Sequence, residues 1–101
     1  MAMFPMRLVY MLDDSENTAA KTRILISVPK RMLHHAVDRN RVKRQIREAF
    51  RKNKHIVNDK IASAGLGSAV LAFIWTDHNL HSSREVNEKV VRLLRRLEEK
   101  L

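Results

Sequence analysis

Residues 39–54 read RNRVKRQIREAFRKNK, and the way this stretch divides between an apolar and a charged face decides how the rest of the chain must fold around it. Val42, Ile46, Ala49 and Phe50 recur at helical spacing over roughly 100° of arc, a stripe that fits the buried face of an amphipathic helix. Asn40, Lys43, Arg44, Arg47, Arg51 and Lys54 fill an adjoining sector of the wheel, and Arg41, Glu48 and Lys52 lie on the far side. Asp38 is expected to cap the helix N-terminus, where its carboxylate suits the positive end of the dipole. Such a helix needs a sheet to bury its stripe.

The flanking sequence supplies one. Phe4, Met6, Leu8, Tyr10 and Leu12 share one parity, so Met6 to Leu12 is expected to be a strand giving one face to a core. Residues 13–21 are small and polar and suit a connection, after which Arg23 to Val28 (RILISV) reads as a second strand, ended by Pro29. The two strands are expected to pair as a hairpin. His55 to Ser63 reads as a helical continuation or a separate short helix, closed by a turn at Gly65 and Gly67. Ala69 to Trp75 (AVLAFIW) is continuously apolar and is expected to be a central strand covered on both faces. Ser82 and Glu85 have capping-box spacing, and Val86, Val90, Leu93, Leu94, Leu97 and Leu101 continue a 3.6-residue stripe to the chain end. The order β-β-α-β-α implies an α+β fold, a two-layer sandwich with helices on a small sheet, and residues 1–101 form a single domain. Its strand-helix-strand unit would by default cross over right-handed.

Charge gives the first functional signal. Eight of the twenty Lys and Arg residues lie in residues 39–54, opposed only by Glu48, so this run carries +7 of the net +9. The absence of cysteine excludes disulfides, thiolate metal sites and a cysteine nucleophile. The longest apolar run is too short for a membrane span and no signal peptide is evident, so the chain reads as soluble and cytoplasmic. A cationic helix face has three readings: a solvated surface, an anionic membrane, or a nucleic acid. Five of the eight cations are Arg, whose planar fork binds phosphate in a bidentate way and stacks on bases. The bulky apolar residues are committed to the core, which leaves none for a bilayer. Nucleic acid is the favoured reading, with a solvated surface as the alternative.

Ser27-Val28, Lys30-Arg31, Ala36-Val37, Arg39-Asn40-Arg41, Lys43-Arg44 and Arg47-Glu48-Ala49-Phe50 follow one another in an order and spacing that resembles the signature region of the bacterial ribonuclease P protein component. The first and third strands and the C-terminal helix extend the similarity over nearly the whole chain. Three features depart from the family pattern. The chain opens almost directly at the first strand, where family members begin with a helix bearing aromatics, so a truncation or a removed extension is expected. His34-His35 stands where Gly-Asn is usual, and the aliphatic run Ile24 to Ile26 replaces an aromatic.

The resemblance implies a left-handed crossover around the basic helix, against the default. It also implies that the chemistry belongs to a catalytic RNA subunit, whose magnesium ions activate water to remove the 5′ leader of precursor tRNA. The protein then contributes no catalytic residue. By the same resemblance Lys30, Arg31, Arg39, Asn40, Arg41, Lys43, Arg44, Arg47 and Arg51 contact RNA, one protein serves each RNA, and Mg²⁺ is bound mainly by the RNA. Tyr10 is the candidate for stacking under a leader base, with a core tyrosine as the alternative.

Rival classes are weaker in the residues. A metal-dependent nuclease would need His34, His35 and Asp38, or Asp77, His78 and His81, as ligands, and neither set has the spacing of a magnesium site. A major-groove DNA module would need a helix-turn-helix, and no such turn is visible. A general basic RNA- or DNA-binding module without a role in tRNA processing is the remaining alternative.

Overall fold

The computed structural model describes residues 1–13 and 22–101. Seven elements follow in order: β1 (Ala2–Met3), β2 (Met6–Asp13), β3 (Thr22–Ser27), α1 (Ala36–Asn53), α2 (His55–Ala64), β4 (Ser68–Trp75) and α3 (Ser83–Lys100). The four strands form one sheet in the order β1-β2-β4-β3, in which β4 is antiparallel to β2 and parallel to β3. The α+β class read from the sequence holds. α1 and α2 together make the connection between the parallel neighbours β3 and β4.

The expected hairpin does not form, because β4 lies between β2 and β3. Its apolar residues explain the insertion: the central place in a sheet buries a strand most completely, and AVLAFIW loses least by entering it. The connection read at residues 13–21 falls, beyond Asp13, outside the described residues.

Register divides the sheet into two chemically distinct faces. Met6 sits opposite Trp75, Leu8 opposite Phe73 and Tyr10 opposite Leu71, while Ile24 and Ile26 meet Leu71 and Phe73 from the other side. This face packs under the helices, with Met6, Leu8, Leu71, Phe73 and Trp75 fully buried. On the reverse face Val9, Ala72 and Leu25 align, flanked by Arg7, Ile74 and Ser27 in one row and Met11, Val70 and Arg23 in the next. No described helix covers that side. Val70, Ala72 and Ile74 are half-buried, and Val9, Met11 and Leu25 are exposed, which corrects the expectation of a strand covered on both faces. Phe4 and Leu12 also leave the expected stripe: Phe4 is 62% exposed in the turn between β1 and β2, and Leu12 is exposed near the end of its strand.

The helices close the core from one side. Val42, Ile46, Ala49 and Phe50 of α1 are buried, with the Phe50 ring set edge-on to Phe73 at 6.4 Å. Val86, Val90, Leu93, Leu94 and Leu97 of α3 complete the layer, and Ile56, Val57 and Ile61 of α2 fill its end. Asp38 is not the cap. α1 begins three residues earlier, after His35, and Asp38 stands in its first turn, where the dipole benefit remains without a cap hydrogen bond. α2 is a separate helix that ends on Gly65 at φ 64°, a left-handed conformation in which glycine has no Cβ to strain. Ser82 caps α3 as the spacing requires, its Oγ accepting the Glu85 N–H at 3.1 Å. β1 was not read from the sequence. Its two residues pair with Met6 and Arg7, and the Met1 ammonium donates to the Leu8 carbonyl at 3.0 Å.

Candidate nucleic-acid interface

α1 spans 18 residues, about 27 Å at 1.5 Å per residue. The burial of one stripe against the sheet fixes its rotation, and the rotation determines which cations face outward. Asn40, Arg41, Arg44 and Arg47 are exposed and Lys43 is half-buried, and among the described residues none of the five has a hydrogen-bond or ion-pair partner. Unpaired cations held by a rigid helix are available to phosphate oxygens at no cost in broken contacts. Lys30 and Arg31 lie exposed in the turn after Pro29, which is closed by Met32 N–H donating to the Pro29 carbonyl at 3.0 Å.

Two of the residues assigned to RNA already have protein partners. Arg39 donates through one guanidinium nitrogen to the carbonyls of Leu33, at 2.9 Å, and His34, at 2.8 Å, so it fastens the approach to α1. Arg51 makes a two-pronged pair with Glu48 at 3.0 and 2.6 Å. That hydrogen bond is the main reason the Glu48 carboxyl sits below its usual range and the Arg51 guanidinium above its own, and both groups are open to solvent.

α1 and α3 enclose a groove of about 320 Å³. From α1 it is lined by Arg41, Arg44, Glu48 and Lys52, with Gln45 and Ala49 between them, and from α3 by Ser83 and Asn87. The sequence wheel placed Arg41, Glu48 and Lys52 away from the main basic sector, and the structure turns that side toward α3. Gln45 is only 9% exposed and its Nε2 donates to the His81 carbonyl at 3.0 Å and to Ser83 Oγ at 3.1 Å. Asn53 ties the same helices together, donating to Ala49 O at 2.7 Å and to Asn87 Oδ1 at 3.0 Å.

Beside this seam His81 bridges two carboxylates, with Nε2 2.5 Å from Asp77 Oδ2 and Nδ1 2.9 Å from Glu85 Oε2. Its ring stands edge-on to Trp75 and Phe4 at 5.5 and 6.1 Å. The hydrogen bonds to Glu85 and then Asp77 raise the imidazole above its ordinary 6.5. Burial pushes Asp77 up, but the His81 hydrogen bond, backbone amides and the imidazole charge together leave it lowered, and the His81 hydrogen bond lowers Glu85. The arrangement closes the β4–α3 turn. His78 is exposed and is not brought into it. Among the described residues no group of three His, Cys, Asp or Glu side chains is placed to hold a metal ion.

Tyr10 lies on the helix-packed face of β2, half-buried against the core. Its neighbours in the strand, Val9 and Met11, point to the opposite, open face.

The family model described as Ribonuclease P matches residues 4–98. The chain belongs to the ribonuclease P protein family. It is 40% identical over 94 residues to the ribonuclease P protein component of Porphyromonas gingivalis, an alignment covering 93% of this chain and 67% of that protein. The ribonuclease P protein component of Chlorobaculum tepidum is 45% identical over 56 residues, 52% of this chain and 36% of its own length. That of Halorhodospira halophila is 40% identical over 61 residues, 60% and 50% of the two chains. No solved structure matches.

Membership of the ribonuclease P family gives the basic helix its setting, that of a protein subunit of an endoribonuclease of tRNA processing, with an RNA subunit as partner. Among the described residues no helix is long and apolar enough to cross a membrane. The side chains that the sequence reading missed are Gln45, Ser83 and Asn87. Gln45 sits in the apolar stripe of α1, where one amide among hydrophobes was the available signal, while the two α3 residues have meaning only once the helices are packed.

Proposed function

We propose that this chain binds the catalytic RNA of ribonuclease P through the unpaired cations of α1 and holds the 5′ leader of precursor tRNA beside it, assisting magnesium-dependent removal of the leader. The observation that carries this reading is the division of α1 into a stripe moored in the core and a row of Arg41, Lys43, Arg44 and Arg47 with no partner among the described residues. Lys30 and Arg31 extend that row, Asn40 offers an amide to a phosphate or base edge, and Arg39 and Arg51 reach RNA with whatever donors their protein bonds leave free. Half-burial leaves part of the Tyr10 ring for stacking under a leader base.

The chemistry follows from charge. Bringing a precursor tRNA against a second folded RNA sets phosphates beside phosphates, and each protein cation placed among them offsets repulsion that magnesium ions would otherwise have to screen. Phosphate contacts ignore sequence, which suits a leader that differs from one tRNA to the next. In this reading the RNA holds the magnesium ions that activate the attacking water, and one protein serves each RNA.

Titration of a bacterial ribonuclease P RNA against this chain tests the interface. Replacing Arg41, Lys43, Arg44 and Arg47 together with Ala should weaken binding by at least 100-fold at moderate salt, on the order of four lost phosphate contacts. Unchanged affinity would remove α1 from the interface.

A further inference from the structure

Gln45 carries an unmet demand that its surroundings in the protein do not answer. Its Nε2 is satisfied twice, by the His81 carbonyl and Ser83 Oγ, whereas its Oε1 is buried without a partner among the described residues. An amide oxygen shut away from water and unpaired is costly, and only a donor can satisfy it. The residue lines the α1–α3 groove together with Arg41, Arg44 and Lys52. The groove's one carboxylate, Glu48, is engaged by Arg51 and, at 3.9 Å, by Lys52, so Arg41 and Arg44 are the lining cations that keep their charge for a ligand.

These features ask for two things of one ligand. The cations ask for an anion, and the Gln45 oxygen asks for a hydrogen-bond donor, which a phosphate diester at neutral pH does not have. A nucleotide has both, a phosphate and a base whose Watson–Crick edge bears N–H groups. The groove's volume of about 320 Å³ falls at the small end of ligand pockets and suits one nucleotide rather than a duplex. Ala49 and Asn87 also line it.

We propose that the α1–α3 groove receives a single unpaired ribonucleotide of the RNA partner, its phosphate between Arg41 and Arg44 and its base edge donating to Gln45 Oε1. The proposal rests on the RNA-binding reading of α1 and adds a base-recognising site to a surface otherwise suited to phosphates. In this arrangement a side-chain adjustment of the size interfaces commonly make on binding brings the base edge to the amide.

Gln45 is the only glutamine in the chain, so ¹⁵N-glutamine labelling gives one side-chain amide pair that reports on this site alone. The chain of 101 residues is titrated with an adenylate pentamer and, separately, with an abasic pentamer of the same phosphate count. The adenylate pentamer should shift the Gln45 amide saturably and bind several-fold more tightly than the abasic one, and Arg41→Ala with Arg44→Ala should weaken it about tenfold or more. A Gln45 signal that does not move, or that moves equally with the abasic chain, overturns the proposal. Binding of the catalytic RNA by the same preparation is measured alongside. If that binding is intact while the Gln45 signal is silent, the groove assignment fails and the RNA-binding reading stands; if both are lost, the RNA-binding reading fails as well.

Discussion

The side-chain amide of Gln45 donates to the backbone carbonyl of His81 across 3.0 Å, and this bond fixes the basic helix against the entry of α3. Because His81 is itself held between Asp77 and Glu85, the placement of the cations depends on a turn at the far end of β4. Replacement of Gln45 by Met keeps the length and removes both donated hydrogen bonds. It should lower stability by about 1 kcal/mol, the net worth of such bonds less the relief of the unpaired oxygen. Urea denaturation checks this, with the midpoint falling and the slope unchanged.

Phe50 joins α1 to the sheet by its edge-on contact with Phe73, and it is buried among aliphatic side chains. Phe50→Ala should cost about 3 to 5 kcal/mol, the usual range for deleting a core aromatic. Val37, in the first turn of the same helix and 77% exposed, gives the contrast. Val37→Ala should stay within about 0.5 kcal/mol.

The cations of α1 should separate into two kinds when RNA affinity is measured against salt. Arg44→Ala and Arg47→Ala should each reduce the slope of log affinity against log salt by about 0.7 to 0.9, one released counterion apiece. Arg51→Ala should change it less, because that guanidinium is already paired with Glu48. Arg39→Ala should show in thermal melting as well as in binding, since it also loses the bonds to the Leu33 and His34 carbonyls.

The His81 cluster gives stability a pH signature. A raised imidazole contributes fully below its ordinary 6.5 and loses that contribution as pH rises through its higher folded value. The lowered carboxyls of Asp77 and Glu85 contribute above their ordinary 3.8 and 4.5, and lose their contribution as pH falls through their lower folded values. The cluster therefore stabilises most between about pH 4.5 and 6.5. Melting temperature should fall from about pH 6 to about pH 9, and His81→Asn should flatten that fall. An equal fall in the variant would show that other groups cause it.

Local periodicity made the helices and strands legible, and long-range pairing hid their arrangement. The stripe of Val42, Ile46 and Phe50 and the Ser82 cap needed only neighbouring residues to be read. The place of β4 between β2 and β3 needed a comparison of partners 47 to 69 residues apart, which an expectation of hairpins between successive strands does not make. The chemistry of Asp38 fits a cap, but helix capping is decided by backbone conformation, and His35 occupies the extended position. The same limit applies to the site. Arg41, Arg44 and Arg47 could be picked out from charge and pattern, whereas the ties of Arg39 and Arg51 to protein groups and the demand of Gln45 arise only from packing.

Cleavage of a precursor tRNA at low magnesium, with and without a bacterial ribonuclease P RNA, tests the central claim most directly. The protein alone should leave the precursor uncut, and cleavage at the mature 5′ end should be restored when the RNA is present. Cleavage by RNA-free protein that survives purification, or no effect of the protein on the RNA's reaction, would contradict it.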